Sequence, residues 1–78
     1  MFSEEEKKNL KTGYKEVLKA LSENRVKKLY IAEDSSESMQ NKLLENGSGV
    51  ETEFAETMKE LGRVCGIEVG ASCAALLK

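Results

Sequence analysis

The 78-residue chain contains no histidine, and this absence excludes several kinds of chemistry. Its two cysteines, Cys65 and Cys73, lack the further ligands that a structural zinc site takes from histidine or additional cysteine. A cysteine nucleophile would also lack the imidazole that usually acts as its base. There is no glycine-rich phosphate loop either. We expect no metal, no cofactor and no catalysis, and we interpret both cysteines as small buried hydrophobic residues.

A long hydrophobic run is also absent. No apolar stretch approaches the ~18 residues of a membrane-spanning helix. Residues 1–8 are polar and acidic, without the apolar core of a secretory signal. Two cysteines as free thiols fit a reducing compartment. We therefore expect a cytoplasmic protein that does not enter a membrane.

The short length leaves room for one domain, residues 1–78. A chain of this size buries only ~60% of the surface that its unfolded form exposes, so it has little room for an enclosed active site. Hydrophobic residues at 40% and charged residues at 33% are typical of an ordinary globular protein.

Charge is small in total but unevenly distributed. A net charge of −2 argues against a general polyanion binder. Residues 1–30 carry eight Lys/Arg against five Glu, a net charge of +3, whereas residues 31–60 carry two Lys against eight acids, a net charge of −6. Any nucleic-acid surface should therefore use the N-terminal third.

Helices and strands are predicted to alternate along the chain. Residues 29–32 are typical of a buried strand, and residues 50–54 of a half-exposed one. Asp34 and Thr57, each followed three residues later by Glu, predict two helix starts of the capping-box type. Gly13 marks the start of the main helix. The apolar residues around it have the spacing of one helical face: Leu10, Tyr14, Val17, Leu18 and Leu21.

The C-terminal segment is ambiguous. Its alanines and leucines are good helix formers, but a short buried run between a glycine and the chain end also suits a strand. The whole order of elements is typical of a sheet packed between helices.

Three blocks of sequence occur in the order of a known family. Residues 58–71, MKELGRVCGIEVGA, look like the C-terminal signature of the L-seven-Ae family of ribosomal proteins in its bacterial form. Residues 12–21, TGYKEVLKAL, are similar to the family's Gly-Thr-(Asn/Lys)-Glu-x-x-Lys-Ala helix start. Residues 30–34, YIAED, resemble its central strand and following turn. Tyr14 departs from the pattern, which usually has Thr there.

This resemblance implies a three-layer α/β/α sandwich with a mixed four-stranded sheet. Residues 72–77 would then be a strand near the sheet centre, with Cys73 and Ala75 facing opposite to Ala74 and Leu76. An edge strand is implied just before Gly13. Residues 8–12 are a poor strand, however, so a frayed or missing edge is the alternative.

The same resemblance implies an RNA-binding protein that recognises and stabilises kink-turn RNA, as a monomer, in a ribosomal or ribosome-associated setting. A kink-turn is a sharply bent duplex in which a short bulge abuts sheared G·A pairs. Gly13 would permit close backbone approach, Lys15 and Glu16 would face the guanines, and Lys19 would reinforce the contact. From spacing alone, the three charged side chains are more simply interpreted as exposed helix charges.

The second part of the RNA site that the resemblance implies is a loop. Ile67, Glu68, Val69 and Gly70 would cover an extruded bulge nucleotide, whereas the residues alone favour a crossing whose apolar side chains pack inward.

The end of the central strand supplies further candidates. Glu33 is a candidate for contacting RNA or orienting a lysine, and Asp34 is interpreted as a helix cap. Tyr14 is interpreted as a core residue, with a stacking platform as the alternative.

A protein-interaction module on the same fold is the alternative function, with the acidic segment 31–60 as its surface. A small enzyme is the least favoured alternative.

Overall fold

The computed structural model describes residues 3–67 and 69–78 and shows a four-stranded sheet with helices on both faces. In chain order the elements are α1 (Glu4–Lys8), β1 (Leu10–Thr12), α2 (Tyr14–Ser22), β2 (Val26–Ala32), α3 (Glu37–Asn46), β3 (Glu51–Ala55), α4 (Met58–Cys65) and β4 (Cys73–Leu77). The strand order is β1-β4-β2-β3. β2 and β3 run parallel and the other two pairs antiparallel, which confirms the predicted mixed sheet.

Two hydrophobic cores lie on opposite faces of this sheet. In the first core, Val17 and Leu21 of α2 and Leu43 of α3 pack against residues of β2 and β4. In the second, Leu61 and Cys65 of α4 pack against the other face of the same strands. The predicted three layers are therefore confirmed, with α2 and α3 on one side and α4 on the other.

β4 confirms that the C-terminal segment is a strand despite its helix-forming residues. It hydrogen-bonds to β1 on one side and β2 on the other. Cys73 and Ala75 belong to the first core and Ala74 to the second, and all three are fully buried. Small side chains in the central strand allow helices on both faces to approach closely, so burial overrides local propensity.

The edge strand before Gly13 is formed, but it is short. β1 has three residues, paired from Leu10 opposite Leu76 to Thr12 opposite Ala74. One further bond, from the Leu77 N–H to the Asn9 carbonyl at 2.8 Å, extends the contact. The alternative of a missing edge is therefore wrong.

The capping boxes predicted at the starts of α3 and α4 are confirmed only in part. The Thr57 hydroxyl caps α4 by accepting from the Glu60 N–H at 3.0 Å, which is one of the two hydrogen bonds of the predicted capping box. At α3, however, the capping box predicted from Asp34 is wrong. Ser36 is the N-cap and accepts from the Met39 N–H at 3.3 Å. A turn in which the Ser35 N–H bonds the Ala32 carbonyl keeps Asp34 outside the helix.

Candidate nucleic-acid interface

The start of α2 is an uncapped helix N-terminus with an exposed surface. Gly13 is its N-cap, has a φ of 97° and a ψ of 141°, and provides no side chain to accept a hydrogen bond. This backbone conformation favours glycine. A Cβ added there would meet no atom within 4 Å, so the space over Gly13 is open. The first turn therefore presents N–H groups and a positive dipole end to whatever approaches.

Three charged residues surround this helix start. Lys15, Glu16 and Lys19 are all exposed, while Val17 and Leu21 of the same helix are buried. Lys15 and Lys19 are one turn apart and share a face. The ion pairs found among the described residues involve none of the three. Their side chains can therefore reach an external partner without first breaking an internal ion pair.

The loop after α4 contains the second group of candidate residues. α4 ends at Gly66 in the left-handed conformation, with a φ of 80°. Ile67 is half-buried against the second core, and its N–H donates to the Gly62 carbonyl at 3.0 Å. Val69, in contrast, is 71% exposed. Each of the two alternatives for this loop therefore holds for one apolar residue: Ile67 packs inward, and Val69 points outward. Glu68 lies outside the described residues.

Two glycines shape this loop by close packing against α4. A Cβ at Gly70 would lie 3.2 Å from the backbone of Met58. Gly62 is buried within α4, and a Cβ there would overlap the Val69 carbonyl oxygen and fall 3.0 Å from the Gly70 Cα. The Ala71 N–H also donates to the Met58 carbonyl at 3.0 Å. The loop that exposes Val69 is therefore fixed on the helix by backbone contacts.

Backbone hydrogen bonds to the start of β4 hold the loop and the start of α2 at one end of the sheet. The Gly13 N–H donates to the Cys73 carbonyl at 3.2 Å. The Ala32 N–H donates to the Ser72 carbonyl at 2.9 Å. Glu33, which follows β2, is exposed, and its N–H donates to the Ala55 carbonyl at 2.8 Å. The described candidates from α2, β2 and the α4–β4 loop consequently lie at the same end of the fold.

Asp34 is a helix cap, but it caps α4 and not α3, the helix that follows it in the sequence and that its position indicated. Its Oδ1 accepts from the Met58 N–H at 2.7 Å, at the first turn of α4. The contact joins residues 24 positions apart. It ties the turn after β2 to the helix that carries the exposed loop. A carboxylate at a helix N-terminus also interacts favourably with the helix dipole.

The remaining sequence candidates are core residues. Tyr14 is half-buried and packs against the first core, as predicted. Both cysteines are buried free thiols, and burial raises the pKa of Cys65 and of Cys73. Within residues 3–67 and 69–78, no group of three or more His, Cys, Asp or Glu is arranged to hold a metal ion. None of the helices in the same part of the chain has the length and apolar content to cross a bilayer.

The sequence matches the model of the ribosomal protein L7Ae/L30e/S12e/Gadd45 family over residues 3–78. An RNA-binding protein of Caldanaerobacter subterraneus is 45% identical over 65 residues, which cover 81% of this chain and 79% of that protein. The large ribosomal subunit protein eL8 of Halobacterium salinarum is 35% identical over 72 residues, which cover 88% of this chain and 60% of that protein. Among solved structures, the Giardia lamblia 15.5kD RNA binding protein has a similar fold, with a TM-score of 0.72 at 23% identity over 91% of this chain and 62% of that one.

Proposed function

We propose that this chain, which belongs to the ribosomal protein L7Ae/L30e/S12e/Gadd45 family, binds RNA and stabilises kink-turn or kink-turn-like structures. Family membership confirms the resemblance that the three sequence blocks indicated. Relatives named for RNA binding support a binding role without catalysis. The relative named as a ribosomal protein supports a ribosomal or ribosome-associated RNA as the target. We propose that the protein binds this RNA in the cytoplasm. We further propose that the protein acts as a monomer.

One observation carries the proposal: a single end of the sheet combines an open helix N-terminus with an exposed apolar loop. N–H groups and a positive dipole suit a phosphate near Gly13. Lys15 can donate to guanine O6 and N7, and Glu16 can accept from base amino or imino groups. Val69, 71% exposed, offers an apolar surface for an unstacked nucleotide.

The bent shape of the RNA explains why such a site selects it. A regular A-form duplex hides its base edges in a deep, narrow major groove. A kink opens these edges where the sheared G·A pairs meet the bulge. A protein that contacts only the open form shifts the RNA population towards that form. The proposed role is therefore to select and hold the bent conformer.

Substitutions at the start of α2 test this proposal directly. In titrations with a labelled kink-turn duplex, we expect Lys15→Ala and Glu16→Ala each to weaken binding about ten-fold or more, because each good base contact is worth ~1–3 kcal/mol. Lys42→Ala and Glu45→Ala on α3, both exposed, are the matched controls and should leave the affinity nearly unchanged. Equal losses in all four variants would show that the start of α2 does not read bases.

The salt dependence of binding should be shallow. Residues 11–19, around Gly13, contain three lysines: Lys11, Lys15 and Lys19. Each phosphate contact contributes ~0.7 to 0.9 to the log–log slope, so we expect a slope of roughly −2 to −3. Equilibrium titrations at several salt concentrations measure it. A slope near roughly −6 would instead indicate a much broader basic surface.

A further inference from the structure

A cleft of about 450 Å³ lies between α1 and α4, on the sheet face that α4 covers. In the described part of the chain, its lining shares no residue with the proposed RNA interface. The lining residues combine carboxylates with aromatic and aliphatic groups: Glu6, Tyr30, Glu53, Phe54, Ala55, Glu56, Glu60, Leu61 and Val64. The cleft extends along the last residues of β3, an edge strand that within the described residues pairs only with β2.

The charge of this cleft is negative and only partly neutralised. Among the described residues, four glutamates line it and no lysine or arginine does. Glu53 pairs with Lys28 at 3.2 Å. Glu6 accepts from the Ser3 N–H at 3.0 Å, and this hydrogen bond lowers the pKa of Glu6, which keeps the carboxylate ionised. Glu56 and Glu60 are exposed and take part in none of the ion pairs found in the described part of the chain.

This charge decides which class of partner fits. RNA phosphates would be repelled by the glutamates. A second copy of the chain, docked cleft to cleft, would place the same carboxylates opposite each other. A cationic partner is the complementary one.

The same face of the sheet already binds a cation from within the chain. The Lys28 ammonium lies 3.1 Å from Glu51, 3.2 Å from Glu53 and 5.3 Å from the centre of the Tyr30 ring. Hydrogen bonds, first to Glu51 and then to Glu53, raise the pKa of Lys28. Carboxylates beside an aromatic ring are thus a combination that holds a positive side chain here.

We propose that this cleft binds an extended, arginine-bearing segment of a partner protein. A guanidinium fork can pair with Glu56 or Glu60 in a bidentate manner, which an ammonium cannot do. The apolar groups of Leu61 and Val64 accommodate the aliphatic stem of the arginine or a neighbouring side chain. The outer edge of β3 offers backbone groups to a segment that lies alongside it. The protein then has two separate binding surfaces, one for RNA and one for a basic protein segment.

Binding of a labelled ten-residue peptide of alternating arginine and valine, followed by fluorescence anisotropy, tests the proposal on the full chain. We expect saturable binding, with the double variant Glu56→Gln and Glu60→Gln about ten-fold weaker, since one exposed ion pair is worth up to ~1 kcal/mol. The double variant Glu37→Gln and Glu45→Gln removes the same charge from α3, and Glu37, like Glu60, lies in the first turn of its helix. This control should change the affinity less than about two-fold.

Amide chemical shifts locate the peptide. We expect the largest changes at Ala55, Leu61 and Val64, and unchanged kink-turn binding in the cleft variant. Equal weakening in the two double variants, or shift changes on the α2 and α3 face, would overturn the proposal. A dimer that forms with rising concentration and is abolished by the cleft substitutions would also overturn it, in favour of a second copy as occupant.

Discussion

Replacing the sheared G·A pairs of a kink-turn duplex by Watson–Crick pairs should lower its affinity for this protein about a hundred-fold or more, to the level of non-specific binding. The two side chains proposed to read bases, Lys15 and Glu16, would lose partners worth ~1–3 kcal/mol each. The duplex would also lose the bend that brings a bulge nucleotide towards Val69. Only the phosphate contacts of the few lysines near α2 would remain, and these carry no sequence or shape information.

Gel shifts or titrations at one fixed salt concentration measure this loss. A duplex that keeps the G·A pairs but changes the sequence of the outer stem is the control, and it should bind as well as the original. The variant Lys15→Ala provides a second control, because it should bind the two duplexes with a much smaller difference. Equal affinity of the unchanged protein for both duplexes would contradict the kink-turn proposal.

Much of the fold could be predicted because its signals are local. The apolar spacing of α2, the buried run in β2 and the threonine cap of α4 each reflect a short stretch of chain. β4 is different, because its alanines and leucines favour a helix when taken alone. Its strand conformation follows from burial between two neighbouring strands and two cores. Family resemblance predicted it correctly, since a family pattern carries such long-range information.

Features that depend on contacts between distant residues could not be predicted. Nothing near Asp34 indicates that its carboxylate caps a helix that begins 24 residues later. The division between a half-buried Ile67 and an exposed Val69 depends on how the loop packs on α4. The ion pairs of Lys28 with Glu51 and Glu53 require the parallel pairing of β2 with β3, which places the two carboxylates beside the lysine.

Gly62 is a local sequence signal for one of these long-range contacts. A glycine inside a helix is unfavourable by about 0.5–1 kcal/mol relative to alanine, so its presence suggests a packing reason. The reason in this structure is the passage of the loop across α4 at this position. The backbone conformation does not require glycine here, since Gly62 lies within the regular helix.

Gly62→Ala should therefore destabilise the protein by about 1–3 kcal/mol, although the same change in an unobstructed helix stabilises it. The new methyl group would overlap the Val69 carbonyl oxygen, and the backbone of residues 69 and 70 cannot move as easily as the end of a flexible side chain. Displacement of this loop should also move Val69 away from its position in the proposed RNA interface. We expect a lower free energy of unfolding in urea and, at temperatures where the variant is folded, weaker binding of kink-turn RNA.

Val69→Ala separates the effect of Gly62→Ala on stability from its effect on RNA binding. It shortens an exposed side chain without touching the packing at Gly62, so stability should change by less than about 0.5 kcal/mol. If Val69 covers an unstacked nucleotide, binding of kink-turn RNA should still weaken. A Gly62→Ala variant that is more stable than the original protein would show that the loop does not pack against α4 here. A stable Val69→Ala variant with unchanged affinity would remove the loop from the proposed RNA interface and leave the start of α2 as its only reading surface.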